Sequence, residues 1–298
     1  MTRVFEMFHL DDDIKEIVQS SLHYLNLIAG KKILLAGSKG FLGRYLTKVF
    51  EAYNLTQDTP IKLIGVDNYI TSKSDFDQIK ENRDFKFIEG DICNKNTIKN
   101  IDELDLVINA AGIASPFYYR ALPLETMEVT VTGTRNLLEL ANKNNAKFLF
   151  FSSSEIYGDP DPKCVPIQET YRGNVSCLGP RACYDESKRL GETLCYIFNK
   201  TFGTHTNIIR PFNIYGPGML ESDYRVMPNF ASRLKGKKPL LVYGDGSQTR
   251  TYCYITDAIR GFLGVLALGR PGEPYNIGNP SPEISVKDLV KAMTAVAG

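Results

Sequence analysis

The chain has 298 residues, 43% hydrophobic and 23% charged, an ordinary globular composition with length enough for a large core and an attached lobe. Thirty-five basic residues against 34 acidic ones leave a net charge of +1, which excludes a global field for nucleic acid or an anionic membrane surface. Six cysteines without a C-x-x-C pair, and three histidines in all, predict no metal site and reduced thiols in a cytoplasmic protein.

No apolar run approaches the roughly 20 residues of a membrane helix. Asp11, Asp12 and Asp13 precede the first apolar positions, the wrong charge order for a secretory signal. From Ile14, the residues Ile17, Val18, Leu22 and Leu25 recur at threes and fours, predicting an amphipathic helix behind an acidic cap in an N-terminal extension, 1–30.

Over 31–210 short apolar runs alternate with helical periodicity. The predicted strands are Lys32–Ala36, Ile61–Val66, Phe85–Ile88, Leu106–Ala110, Lys147–Phe151 and Asn207–Arg210, with helices at Phe41–Tyr53, Leu124–Lys143 and Ala182–Phe202. This alternation is that of an α/β protein, a Rossmann-like doubly wound parallel sheet. Residues 211–298 are richer in Gly, Pro and basic residues, with shorter runs at Leu240–Tyr243 and Tyr275–Ile277, and are expected to form a smaller C-terminal α/β lobe over the sheet's carboxyl edge.

Between the first strand run and the first helix stand Gly37, Gly40 and Gly43, with Phe41 and Leu42 inside the loop. Glycines at that spacing permit a sharp turn, a close approach to a pyrophosphate and tight helix-on-strand packing, while the helix N-terminus presents N–H groups and a favourable dipole. Asp67, at the end of the second strand run, can accept from an adenosine ribose 2′-hydroxyl and would repel a 2′-phosphate, so NAD is expected over NADP. Asn68, Asp91, Ile92 and Ala110, at the ends of neighbouring runs, complete the candidate cofactor contacts, Asp91 serving equally well as a turn cap.

Tyr184 and Lys188 are four residues apart on a helical segment and project from one face. A phenol with a pKa near 10 is a poor base at neutral pH, but an ammonium and a positive nicotinamide favour its phenolate. The pair can then take a hydroxyl proton as hydride leaves carbon. Ser153 follows the strand Lys147–Phe151, 31 residues before Tyr184, and would supply a hydroxyl at the carboxyl edge of the sheet. Glu155 reads either as an acid, base or electrostatic element or as half of an ion pair.

The glycine loop, Ser153, Tyr184 and Lys188 together resemble the extended short-chain dehydrogenase/reductase superfamily over about residues 31–290. Longer strings are most similar to the UDP-glucuronate decarboxylases: Ala114-Ser-Pro with Tyr119, Ser154-Glu-Ile-Tyr-Gly-Asp-Pro, Gly179-Pro-Arg-Ala-Cys-Tyr-Asp-Glu and Val242-Tyr-Gly-Asp-Gly-Ser-Gln-Thr-Arg. That resemblance implies Tyr184 as base, Lys188 as the residue lowering its pKa and holding the nicotinamide ribose, Ser153 on the C4 oxygen and Glu155 near the sugar. It further implies Pro116, Tyr119, Asn213, Arg225, Tyr243, Gln248 and Arg250 as contacts to a nucleotide-diphosphate sugar, with a UDP-sugar favoured. Arg225 and Arg250 suit phosphate by their planar donors and suit surface ion pairs equally. A homodimer through the Leu124–Lys143 and Ala182–Phe202 helices is implied as well.

The implied chemistry is oxidation at C4, loss of CO₂ from the β-keto acid and return of hydride. Asn109-Ala-Ala-Gly and Arg210-Pro-Phe-Asn-Ile-Tyr-Gly-Pro-Gly depart from the decarboxylase pattern, and Gly218 stands where decarboxylases tend to have arginine. The alternatives are a 4-epimerase, against which Glu155 argues, and a 4,6-dehydratase, which needs an aspartic acid where Ser154 stands. A dinucleotide-binding sensor without turnover would be expected to lack one of Ser153, Tyr184 or Lys188.

Overall fold

A computed structural model describes residues 10–71, 81–220 and 223–297. The elements run α1 (Leu10–Leu27), β1 (Lys32–Ala36), α2 (Phe41–Asn54), β2 (Lys62–Asp67), β3 (Phe85–Glu89), α3 (Lys95–Ile98), β4 (Leu106–Asn109), α4 (Pro116–Ala121), α5 (Pro123–Glu128), α6 (Thr134–Lys143) and β5 (Lys147–Phe151). There follow α7 (Ala182–Phe202), β6 (Thr206–Pro211), β7 (Ile214–Tyr215), α8 (Val226–Lys235), β8 (Thr249–Arg250), β9 (Cys253–Tyr254), α9 (Ile255–Leu268), β10 (Pro274–Ile277), β11 (Ile284–Ser285) and α10 (Val286–Ala297).

Seven strands pair in the order β10-β6-β5-β4-β1-β2-β3, every neighbour parallel. The strands are apolar in continuous runs because both faces are covered. Ile33, Leu35, Ile108 and Leu149 pack with α1, α2 and α9 on one side. Leu34, Val107, Phe148 and Phe150 pack with α6 and α7 on the other. The order reverses between β1 and β4, and ligands of such sheets bind in the crevice outside the carboxyl ends at that point.

The expected doubly wound sheet is present, with differences in detail. The three N-terminal aspartates fall inside the first turn of α1, not ahead of it, and Asp13 turns inward, buried. The Leu124–Lys143 run is interrupted by a π turn at Val129–Gly133, where consecutive β-branched residues lie and where a Cβ on Gly133 would strike Ile92.

Leu240–Tyr243 forms no strand; Leu241, Val242 and Tyr243 are exposed, with Tyr243 80% accessible. Tyr275–Ile277, which the sequence places in the smaller lobe, lies in β10, the seventh strand of the main sheet beside β6, because α9 packs against both strands and returns the chain parallel to β6. No described helix is long and apolar enough to cross a membrane.

Candidate functional site

The turn after β1 needs glycine at two points. Gly37 has φ +77, and a Cβ there would lie 2.7 Å from the Ala110 carbonyl carbon at the end of β4; a Cβ on Gly43 would overlap the Gly37 carbonyl. Gly40 begins α2 with no side chain over its N-terminus. The loop is thus a bare backbone cradle across the switch point, and the cleft above it is lined by Gly37, Gly40, Phe41, Leu42, Gly43 and Ala110. This donor-rich, side-chain-free surface fits a dinucleotide pyrophosphate.

Asp67 ends β2 and accepts from the Lys39 amide at 2.9 Å and from the Tyr69 amide at 2.8 Å, so its carboxylate ties the glycine loop to the second strand. Asn68 accepts from the Ile70 amide. Asp91 accepts from the Cys93 amide at 2.8 Å, the turn-cap alternative, and Ile92 is buried against α6. These four stand along the ends of β2 and β3, beyond the lining of the central cleft. Lys73, near enough in sequence to bear on the NAD preference, lies outside the described residues.

Across the cleft, α7 comes close to β5 because Gly191 has no Cβ to meet the Phe150 ring. That approach buries Tyr184 and Lys188 to 6% and 4% accessibility. The Lys188 ammonium donates to the Phe151 carbonyl at 2.7 Å and lies 5.9 Å from the Tyr184 ring centre. Gly112 leaves room for it, since a Cβ there would sit 3.1 Å from Nζ.

Ser153 caps the turn after β5, accepting from the Glu155 amide at 3.2 Å, and its hydrogen bond to Tyr184 favours the phenolate. Beneath it, Ser152 donates to Glu192 at 2.5 Å, and Glu192 is held by Arg210 at 2.6 Å in a nearly buried ion pair.

The expectation that Lys188 lowers the Tyr184 pKa is not met by the protein alone. Burial pushes Tyr184 up to about 12, against the Ser153 hydrogen bond. Burial likewise lowers Lys188 to about 8, opposed by Glu192. The physical reason is desolvation of both charged forms.

Glu155 lines the cleft and also pairs with Arg181, which reaches Asp185 at 3.4 Å. Pro116 begins α4 and lines the cleft with Tyr119, whose ring stacks on Tyr184 with centres 5.4 Å apart. The hydroxyls of Ser115 and Tyr119 are buried without a hydrogen-bond partner among the described residues.

Arg225 is gripped by buried Asp223 at 2.9 Å and still lines the cleft; Arg250 and Asn213 line it as well, Asn213 donating to the Thr251 carbonyl at 3.0 Å. Tyr243 and Gln248 are exposed and stand outside the lining. Sequence reasoning missed Gly112, Arg181, Ser115 and Arg44 as cleft residues. Arg181 and Ser115 were legible within the Gly-Pro-Arg and Ala-Ser-Pro strings; Gly112 and Arg44 depend on how tertiary packing brings Lys188 and Gly218 against them. Asn109, a departure from the decarboxylase pattern, is fully buried and donates to Thr134 at 2.9 Å, tying β4 to α6. Among the described residues no His, Cys, Asp or Glu group is arranged to hold a metal.

An all-parallel sheet with a glycine cradle at its switch point and a buried Tyr-x-x-x-Lys pair beside a strand-end serine defines a nucleotide-binding protein of the extended short-chain dehydrogenase/reductase class. The chain belongs to the NAD dependent epimerase/dehydratase family, whose model matches residues 33–278.

It is 36% identical to UDP-glucuronic acid decarboxylase 2 of Arabidopsis thaliana over 92% of this chain and 61% of that protein. It is 35% identical to UDP-glucuronic acid decarboxylase 1 of Xenopus tropicalis over 90% of this chain and 61% of that protein. The chain thus spans about six tenths of the length of these relatives. Among solved structures it is similar to a dTDP-glucose 4,6-dehydratase of Streptomyces venezuelae with NAD bound (TM-score 0.78, 25% identity, 89% of this chain, 80% of that one). The fold is also that of a UDP-glucose 4-epimerase of Thermotoga maritima (TM-score 0.78, 24% identity, 90% and 82%).

Proposed function

We propose that the protein is an NAD-dependent enzyme acting on a UDP-sugar, converting UDP-glucuronate to UDP-xylose through a transient 4-ketone. The observation that carries this reading is the meeting of Tyr184, Ser153 and Glu155 with the glycine cradle in the lining of one cleft. The decarboxylase relatives narrow the substrate. NAD, held on Gly37, Gly40 and Gly43 with its ribose at Asp67, would supply a reversible hydride acceptor and a positive ring.

Tyr184 takes the C4 hydroxyl proton as the C4 hydride would pass to the nicotinamide, with Ser153 donating to the C4 oxygen and Lys188 keeping the local charge positive. The ketone at C4 is β to the C6 carboxylate. As CO₂ leaves, the C5–C6 bonding pair passes into the ketone as an enolate, which buried donors at the cleft stabilise and which is then protonated at C5. Glu155 stands at that end of the cleft beside Arg181. Tyr184 would finally return its proton to the C4 oxygen as the hydride returns to C4, so the cofactor would end as it began. Arg225 and Arg250 are assigned to the diphosphate, Pro116, Tyr119 and Asn213 to the rest of the substrate.

Incubation with NAD and UDP-glucuronate followed by product mass analysis tests the reading. Loss of the mass of CO₂ is expected; an isomeric product would instead establish the epimerase reading, which Gly218 favours. A cytoplasmic homodimer belongs to the same proposal, resting on reduced cysteines and on exposed Leu124, Leu190, Tyr196 and Ile197 of α5 and α7.

A further inference from the structure

Helix α1 lies ahead of the family-matched residues, yet one of its side chains is linked through Tyr45 to Pro217, next to the cleft-lining Gly218. Asp13 is buried, and its carboxylate accepts from the Tyr45 hydroxyl at 2.9 Å and from the Tyr254 hydroxyl at 3.0 Å. The Tyr45 oxygen is also 3.2 Å from the Pro217 carbonyl, so its one proton is shared between carboxylate and carbonyl. The neighbouring residue on α2, Arg44, donates to the Gly218 carbonyl.

Pro217 and Gly218 lead into a wall that faces the glycine loop: Gly218, Met219 and Leu220 line the same cleft as Gly37 to Gly43. Gly218 has φ +87, a conformation that favours glycine, and its carbonyl is held by Arg44. Helix α1 itself is firmly seated. Ile17 and Leu25 are fully buried, the Tyr24 ring abuts Gly264 of α9, and Asn26 accepts from the Tyr53 hydroxyl of α2 at 2.9 Å. A carboxylate buried in such a setting is costly unless hydrogen-bonded, and an apolar side chain would serve packing alone.

We infer that Asp13 is a positioning residue for the cofactor end of the cleft: through Tyr45 it holds the Pro217–Leu220 wall against the glycine loop. Helix α1 is then a working part of the dinucleotide site. The inference rests on the reading of the cleft as an NAD site, and a second readout keeps the two separable.

The test uses the full chain and the variants Tyr45→Phe, Asp13→Ala and Tyr53→Phe, with NAD affinity measured by titration calorimetry and amide exchange at Met219 and Leu220 measured in ligand-free protein. Tyr45→Phe keeps the ring and removes only the hydroxyl that links Asp13 and Pro217. It and Asp13→Ala are expected to raise the NAD Kd about tenfold, equivalent to about 1.4 kcal/mol, and to speed exchange at both amides. Tyr53→Phe loses an α1–α2 hydrogen bond remote from the wall and is expected to leave both readouts at the wild-type level.

Wild-type exchange at Met219 and Leu220 in Tyr45→Phe would overturn the inference, as would equal effects in all three variants, which would mark α1 as packing only. Wild-type protein that binds no NAD would sink the cofactor reading, while the exchange measurements would still decide whether Asp13 holds the wall.

Discussion

Tyr184 lies against Tyr119 with ring centres 5.4 Å apart and planes 15° from parallel, so the proposed base is sealed on one face by an aromatic ring and reached only from the cleft. The stacking explains the deep burial that raises the Tyr184 pKa to about 12. It also fixes the ring so that the hydroxyl meets Ser153. Tyr184→Phe preserves the stack and removes the proton carrier. Turnover should fall about a hundred- to ten-thousandfold, while NAD binding by calorimetry stays at the wild-type value. Near-normal turnover would remove Tyr184 from the mechanism.

Asp67 holds two backbone amides and is assigned the ribose 2′-hydroxyl. In Asp67→Ala, the NAD Kd should rise about tenfold or more while the NADP Kd changes little, since the repulsion of a 2′-phosphate goes with the carboxylate. Parallel loss for both dinucleotides, measured side by side, would mean that Asp67 acts only on the loop.

Glu155 and Arg181 form an ion pair with both side chains more than two-fifths exposed. Exposed pairs contribute about 0–1 kcal/mol, so Glu155→Gln should leave urea stability nearly unchanged. If Glu155 serves the chemistry, kcat for CO₂ release should still fall at least about tenfold. A variant with wild-type kcat would leave Glu155 as the ion pair alone.

Lys188 has its pKa lowered from 10.5 to about 8 by burial. Below pH 8 both folded and unfolded chains carry the proton, and the buried ammonium costs stability. As pH rises from 8 to 10.5 the folded chain sheds it while the unfolded chain keeps it, so this group's contribution becomes more favourable by about 3 kcal/mol. Relative to Lys188→Met, wild-type protein should therefore gain stability over that window in urea titrations at matched pH. A difference between the two proteins that is constant from pH 7 to 10.5 would show that Lys188 titrates normally.

Arg210 and Glu192 are 8% and 14% exposed, and Glu192 also receives the Ser152 hydroxyl beside Ser153. Arg210→Met strands a buried carboxylate and should cost about 3–5 kcal/mol in urea unfolding; pairing it with Glu192→Gln should recover most of that loss. Failure of the double variant to recover would place the cost in lost packing on Tyr157 instead.

The order of strands and helices was legible because a parallel sheet covered on both faces writes continuous apolar runs, and helices write a different period. Lys32–Ala36, Lys147–Phe151 and Ala182–Phe202 match the structure residue for residue. Leu240–Tyr243 misled because an apolar run reads alike whether it pairs as a strand or lies on the surface. Tyr275–Ile277 was found as a short run but assigned to the smaller lobe, whereas it lies in the main sheet, since no local pattern reports which sheet edge a strand will join.

The chemistry divides in the same way. Tyr184 and Lys188, the three glycines, Ser153 and Asp67 are local features whose spacing reflects one helix face or one strand end, and the sequence by itself determined them. Tertiary structure alone decided that Asp13 would face Tyr45, that Arg44 would reach Gly218, and that burial would raise Tyr184 and lower Lys188. Hydrogen bonds and desolvation depend on which distant elements close over a group, and segments far apart in the chain carry no shared period that could announce their meeting.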